Sequence, residues 1–172
     1  MKFFLLVFSL IFSTFSIAET WFIKPSSNSQ EEIQEALILA EPGDTIQLAE
    51  GFYKLKHGLS LDVDDVSIVG AGHEKTILNF KDQISSAQGL LVTSNRVVLK
   101  DFAIEDAKGD AAKSKGSDEI SFINLRTEWT NGPDSTNGAY GIYPVESKRV
   151  LIDGCIATVS YTHLRAHETH EN

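Results

Sequence analysis

The chain has 172 residues, 15 basic and 24 acidic side chains, one cysteine and a formal charge of −9 at neutral pH. With 42% hydrophobic residues it can bury the core of one domain, which excludes a disordered polyelectrolyte. A single cysteine excludes an intramolecular disulfide framework, and the acidic balance argues against nucleic acid as a partner, because phosphate binding needs a basic surface.

Lys2 gives a short positive start, Phe3 to Phe15 is almost wholly apolar, and Ser16-Ile17-Ala18 offers small residues at a cleavage site. This pattern predicts a signal peptide over residues 1–18 and a protein exported to the periplasm or beyond the cell. The apolar run falls short of the roughly 20 residues that a membrane-spanning helix needs, so no stable membrane insertion is expected after cleavage. Next comes a helix over about residues 29–40. Ser29-Gln30-Glu31-Glu32 reads as a capping box, and Ile33, Ala36, Leu37 and Ala40 form one apolar stripe. Pro42-Gly43-Asp44 ends the helix, and Ile46 and Leu48 begin the first alternating strand.

From there the chain repeats itself. Val92-Thr93-Ser94-Asn95-Arg96-Val97-Val98-Leu99 matches Val145-Glu146-Ser147-Lys148-Arg149-Val150-Leu151-Ile152 at an offset of 53. An apolar template running at +2, +5 and +7 reads Val97, Leu99, Phe102, Ile104, then Ile120, Phe122, Leu125, Thr127, then Val150, Ile152, Cys155, Ala157. Val66 and Ile68 give a partial copy upstream. The start points 66, 97, 120 and 150 lie 31, 23 and 30 residues apart, the interval of a solenoid. Steps of two are the strand period, and the phase break before +5 predicts two short strands joined by a bend. Gly89–Val92 and Gly141–Val145 add a third strand in two copies. Three short strands per turn predict an all-β chain, a right-handed parallel β-helix with a short N-terminal capping α-helix, over residues 19–157. Cys155, at a +5 position, is read as a buried core thiol.

The stretch from Gln34-Glu35-Ala36 through Pro42-Gly43-Asp44-Thr45-Ile46-Gln47-Leu48 to Gly51-Phe52-Tyr53 resembles the opening signature of pectin-lyase-like right-handed β-helix proteins. Glu128-Trp129-Thr130-Asn131-Gly132 to Asn137-Gly138-Ala139-Tyr140-Gly141-Ile142-Tyr143-Pro144 resembles a group of secreted bacterial parallel β-helix repeat proteins. The resemblance covers residues 30–157. It implies the fold, export and a carbohydrate-leaning superfamily, and it carries over no activity.

In a β-helix the inward positions form apolar ladders, so function falls to outward residues and long loops. The longer interval after Ile120 places extra residues in the loop from Trp129 to Gly138. In polysaccharide-active β-helices, loops at this junction wall the face on which the sugar chain lies. Trp129, Tyr140 and Tyr143 are therefore candidate sugar-stacking residues, with Asn131 and Asn137 as hydrogen-bonding partners. The alternative is that Trp129 and one tyrosine pack the loop onto the coil, with Asn-Gly making turns. A lyase or epimerase needs a base and a cation to neutralise the uronate carboxylate, and a hydrolase needs two carboxylates. Glu105, Asp106, Arg126 and Glu128 are the catalytic candidates, with Asp110 and Asp134 near them. Glu105 stacked under Glu128 is a candidate calcium site, set against the commoner case of solvated carboxylates at turns. Arg96 and Arg149, at one coil position, are expected to pair with acidic neighbours. Gly70-Ala71-Gly72 is read as a turn between strands, and His57 and His73 as structural.

After Ala157 the template is lost, and His163, His167 and His170 fall close together. On a helix they would share a face for zinc or nickel. The run resembles translated adapter sequence, so residues 158–172 are read as a non-native tail and the chain as an N-terminal fragment. Two functional readings stand: an exported β-helix that binds or modifies polysaccharide by lyase, hydrolase or epimerase chemistry, and a non-catalytic surface scaffold that binds a glycan or protein partner.

Overall fold

The computed structural model describes residues 17–158. The signal-peptide reading of the first sixteen residues and the tail holding His163, His167 and His170 lie outside them. Within them the chain winds through three parallel sheets. Sheet A stacks β1 (Thr20–Ile23), β2 (Thr45–Leu48), β5 (Ser67–Val69), β8 (Val98–Lys100), β11 (Ser121–Ile123) and β14 (Leu151–Asp153). Sheet B stacks β3 (Gly51–Lys54), β6 (Thr76–Asn79), β9 (Ala103–Glu105), β12 (Arg126–Glu128) and β15 (Ile156–Thr158). Sheet C stacks β4 (His57–Leu61), β7 (Ser85–Val92), β10 (Asp110–Lys115) and β13 (Ile142–Val145). From β2 onward the chain visits A, then B, then C in each turn, so it is a parallel β-helix.

The apolar template sets the register. Leu99, Phe122 and Ile152 align across sheet A, and Ile104, Thr127 and Ala157 align across sheet B. These residues point inward and form ladders, with Leu99, Phe102, Ile104, Ile120, Phe122 and Leu125 all buried. The phase break between A and B is a single residue in the left-handed backbone region, Asp101, Asn124 and Gly154 in successive coils. Asp, Asn and Gly are the residues that tolerate this conformation best. The Asn124 amide donates to Asp101 at 2.5 Å, tying one bend to the next.

A second left-handed position precedes each of the last four sheet A strands and holds Asp65, Arg96, Glu119 and Arg149. Their signs alternate in pairs. Arg96 binds Asp65 and Asp64, and Arg149 binds Glu119 and Asp118. The Arg96 hydrogen bonds hold the Asp65 carboxyl below the usual range.

Several expectations need correction. The offset of 53 holds in sheet A, where Val98 aligns through Ser121 with Leu151, but it slips by one in sheet C. There Val92 aligns through Ser114 with Pro144, because the turn from C to A is one residue longer after Pro144 than after Val92. The third strand exists in the middle coil as well, as β10. Its sequence, Asp-Ala-Ala-Lys-Ser-Lys, lacks the large apolar residues that mark a strand. The first coil begins before the helix, with β1 paired to β2. The last coil is less covered than its template suggests. Cys155 is half-buried, its thiol donating to the Phe122 carbonyl at 3.3 Å, and burial pushes its pKa up.

The helix α1 (Ser29–Leu39) buries Ile33, Ala36 and Leu37 as expected. Its N-cap is Asn28 and not Ser29, and no capping box forms. Ser29 bonds back to Ser26, and the Ser26 hydroxyl donates to Glu32. The helix stands where sheet C would have a strand in the first coil. The Gln34 side-chain amide donates to the Ser60 carbonyl at 3.1 Å and accepts from its N–H at 3.0 Å. Gln30 accepts from the N–H groups of Lys56 and His57. Two glutamines one helical turn apart thus imitate a neighbouring strand and satisfy the exposed edge of β4. At the start of β2 the Asp44 carboxylate accepts from the N–H groups of Glu19, Glu41 and the Trp21 indole. Burial opposes its charge, yet these donors prevail and hold its pKa below the usual value. Tyr53 is buried and bonds the Ile23 and Ala49 carbonyls, and burial pushes its pKa up to about 12.

Candidate functional site

The candidate acids gather on the outer side of sheet B. Glu105 and Glu128 stand in register on β9 and β12, as the coil arithmetic predicts. Arg126, two residues before Glu128 on the same side of β12, lies between them. It donates to Glu105 Oε1 at 2.8 Å and to Glu128 Oε2, and it approaches Glu74 at 3.6 Å. Burial works against the guanidinium charge, but the hydrogen bond and charge of Glu105, followed by Glu128, raise its pKa above the ordinary value. The turn from Gly70 to Lys75 connects β5 to β6, as expected. It also reaches over this side of the sheet, where the His73 carbonyl accepts from Arg126 at 3.4 Å.

The remaining acids are also engaged. Glu105 accepts from the Asn79 amide at 3.2 Å. Asp106, in the left-handed region, accepts from Asn79 and from the Thr130 N–H and hydroxyl, which anchors the start of the long loop. Asp134 caps its own turn through Thr136. Glu105 and Glu128 therefore stack without forming a bare carboxylate pair, because a cation from the chain itself already occupies the space between them. Among the described residues no group of three or more His, Cys, Asp or Glu side chains is placed to hold a metal ion.

The stacking candidates divide. Trp129 is a core residue: it is 4% exposed and its indole N–H donates to the Ala107 carbonyl at 2.7 Å. Its faces are unavailable to a sugar ring, because the loop uses it as the anchor to the coil. Asn131 is exposed, and Asn137 spans the loop by donating to the Gly132 carbonyl at 2.9 Å. Gly132 makes a turn at φ 81°. Tyr140 and Tyr143 meet one another outside the coil, both half-exposed, with ring centroids 4.2 Å apart at 33°.

Tyr143 belongs to the outward row of sheet C, where register places Ser60, Leu91, Lys113 and Tyr143 side by side. Leu59, Leu90, Ala112 and Ile142 alternate with them and face the core. The Lys113 ammonium sits 5.1 Å from the Tyr143 ring centroid and 3.0 Å from Asp110. Sequence reasoning missed Lys113 because it missed the strand that carries it. A tyrosine pair, a lysine and a carboxylate thus form one amphiphilic platform at the foot of the longest connection among the described residues.

No protein-family model matches the chain, and no curated protein matches it. Among solved structures, a PL6 family alginate lyase, AlyGC, superposes with a TM-score of 0.56 at 13% identity, over 86% of this chain and 21% of the other. The likeness shows the fold. The chain spans about a fifth of that lyase's length.

Proposed function

We propose that this chain is an exported parallel β-helix of the pectin-lyase-like kind that binds polysaccharide on the outward face of sheet C. The observation that carries the proposal is the Tyr140–Tyr143 pair beside Lys113, flanked by the 129–141 loop. Aromatic faces stack on the apolar faces of sugar rings, and neighbouring polar groups take the hydroxyls. Sharing a fold with an alginate lyase supports a carbohydrate ligand. Export rests on the signal-peptide pattern of residues 1–18.

Binding without turnover fits this geometry better than catalysis. A general base must be free to take a proton, and Glu105, Glu128 and Asp106 are each held by Arg126, Asn79 or Thr130. Affinity electrophoresis through gels containing neutral or acidic polysaccharides tests the proposal. The wild type should be retarded by at least one polymer and leave it intact, while the Tyr140→Ala, Tyr143→Ala double variant runs unretarded with an unchanged melting temperature. Equal mobility of the wild type in every gel would contradict binding. Release of shortened or unsaturated products would contradict the absence of turnover.

A further inference from the structure

The connection from sheet B to sheet C carries a lysine in three successive coils: Lys56 between β3 and β4, Lys81 between β6 and β7, and Lys108 between β9 and β10. The 129–141 loop is the same connection one coil further on. All three lysines are exposed, and they line one cleft of about 510 Å³ together with Gln83, Ile84 and a single carboxylate, Asp82. Three positive groups against one negative leave this cleft cationic in a chain whose net charge is −9.

Arg96, Lys100, Lys113, Arg126 and Arg149 pair with carboxylates. Several lysines, Lys54, Lys75, Lys115 and Lys148 among them, form no ion pair with any described residue, but Lys56, Lys81 and Lys108 are the unpaired ones that share a coil position and line one cleft. Their positions are fixed all the same. The backbone N–H of each donates to a side-chain amide oxygen: Lys56 to Gln30 at 3.0 Å, Lys81 to Asn79 at 3.1 Å and Lys108 to Gln83 at 3.0 Å. The Lys56 carbonyl also accepts from the Ile84 N–H in the next coil at 2.8 Å. The row is thus rooted in rigid turns that climb by roughly 4.8 Å per coil, while the ammonium groups reach into solvent. Unmatched like charges held in a row repel one another, and a bound anion relieves that repulsion.

We infer that this row binds a linear polyanionic glycan, with the sugar chain running along the solenoid axis and its carboxylates or sulfates on the three ammonium groups. The inference rests on the polysaccharide reading above and gives it a charge class and a second contact surface. One charge on each sugar or every second sugar suits a cation row at coil spacing. A nucleic acid suits it less well, since its closely spaced phosphates would also meet the acidic remainder of the surface.

The test is a binding titration of the full chain with sodium alginate, heparin, dextran and single-stranded DNA across a range of salt. The wild type is compared with a Lys56→Gln, Lys81→Gln, Lys108→Gln variant and with the tyrosine double variant. The lysine variant should bind the acidic glycans roughly tenfold more weakly, with a flattened salt dependence and an unlowered melting temperature. Preference for alginate or for heparin identifies carboxylate or sulfate as the charge. Undiminished binding by the lysine variant, no binding of either acidic glycan by the wild type, or equal binding of DNA would each overturn the inference. If the tyrosine variant binds like the wild type while the lysine variant fails, the sheet C platform is refuted and the lysine row stands. Dextran binding lost only in the tyrosine variant, with acidic glycans ignored by the wild type, refutes the row and leaves the platform.

Discussion

Replacing Arg126 by methionine tests whether the acids on sheet B are structural. The Arg126 side chain is 12% exposed and that of Glu105 is 9% exposed, so removing the guanidinium strands a carboxylate away from water. Breaking a buried pair from one side costs about 3–5 kcal/mol. Glu128 is 34% exposed and Glu74 is 71% exposed, and both can rehydrate, so the loss falls near the lower figure, about 3 kcal/mol. That corresponds to a melting temperature lower by roughly 6–12 °C for a chain of this size. Thermal and urea unfolding followed by circular dichroism at neutral pH measure it. Adding Glu105→Gln to the methionine variant should restore at least half of the loss, because glutamine carries no charge and still accepts from Asn79. A methionine variant within about 0.5 kcal/mol of the wild type would refute the buried network and return these carboxylates to the list of catalytic candidates.

Asp44 should shape the acid side of the stability curve. Its folded pKa lies below the unfolded value, so its contribution is complete above about pH 4 and is lost as pH falls through the lowered value. Asp44→Asn should cost about 2 kcal/mol at neutral pH and flatten the curve below pH 4, and a curve identical to the wild type would count against this assignment. Thr127 occupies an inward template position with a buried hydroxyl that finds no partner among the described residues. Thr127→Val should therefore stabilise the protein by about 1 kcal/mol in urea unfolding, and a loss of stability would mean the hydroxyl is satisfied. A Cβ at Gly109 would overlap the Ala87 carbonyl oxygen of the adjacent coil. Gly109→Ala should cost about 3 kcal/mol or more by the same assay, whereas Gly116→Ala meets no atom within 4 Å and should cost only the left-handed strain of about 1 kcal/mol.

The solenoid was legible because its physics repeats. Val97, Ile120 and Val150 start equivalent coils, and the same inward positions must be apolar in each, so periodicity reports the stacking directly. Sheet C was legible only where Leu90, Leu91 and Ile142 mark it. Strand β10 hid because its buried positions Ala111, Ala112 and Ser114 hold small side chains, and Lys113 went unseen with it. The stacking of Glu105 on Glu128 followed from coil positions, but Arg126 reaching between them did not. Spacing gives register, and side-chain reach is decided by neighbours from other coils. Trp129 shows the same limit. An aromatic residue at a loop base reads equally as a sugar platform or an anchor, and only the Ala107 carbonyl waiting for its indole N–H distinguishes them.

Hydrogen exchange of the full chain, mapped by peptide with and without a retained polysaccharide, tests the central claim most directly. The account predicts slowed exchange over residues 108–115 and 137–145, with sheet A and the capping helix unchanged. Protection confined to sheet A or to the helix, or absent with every polymer tried, would contradict it.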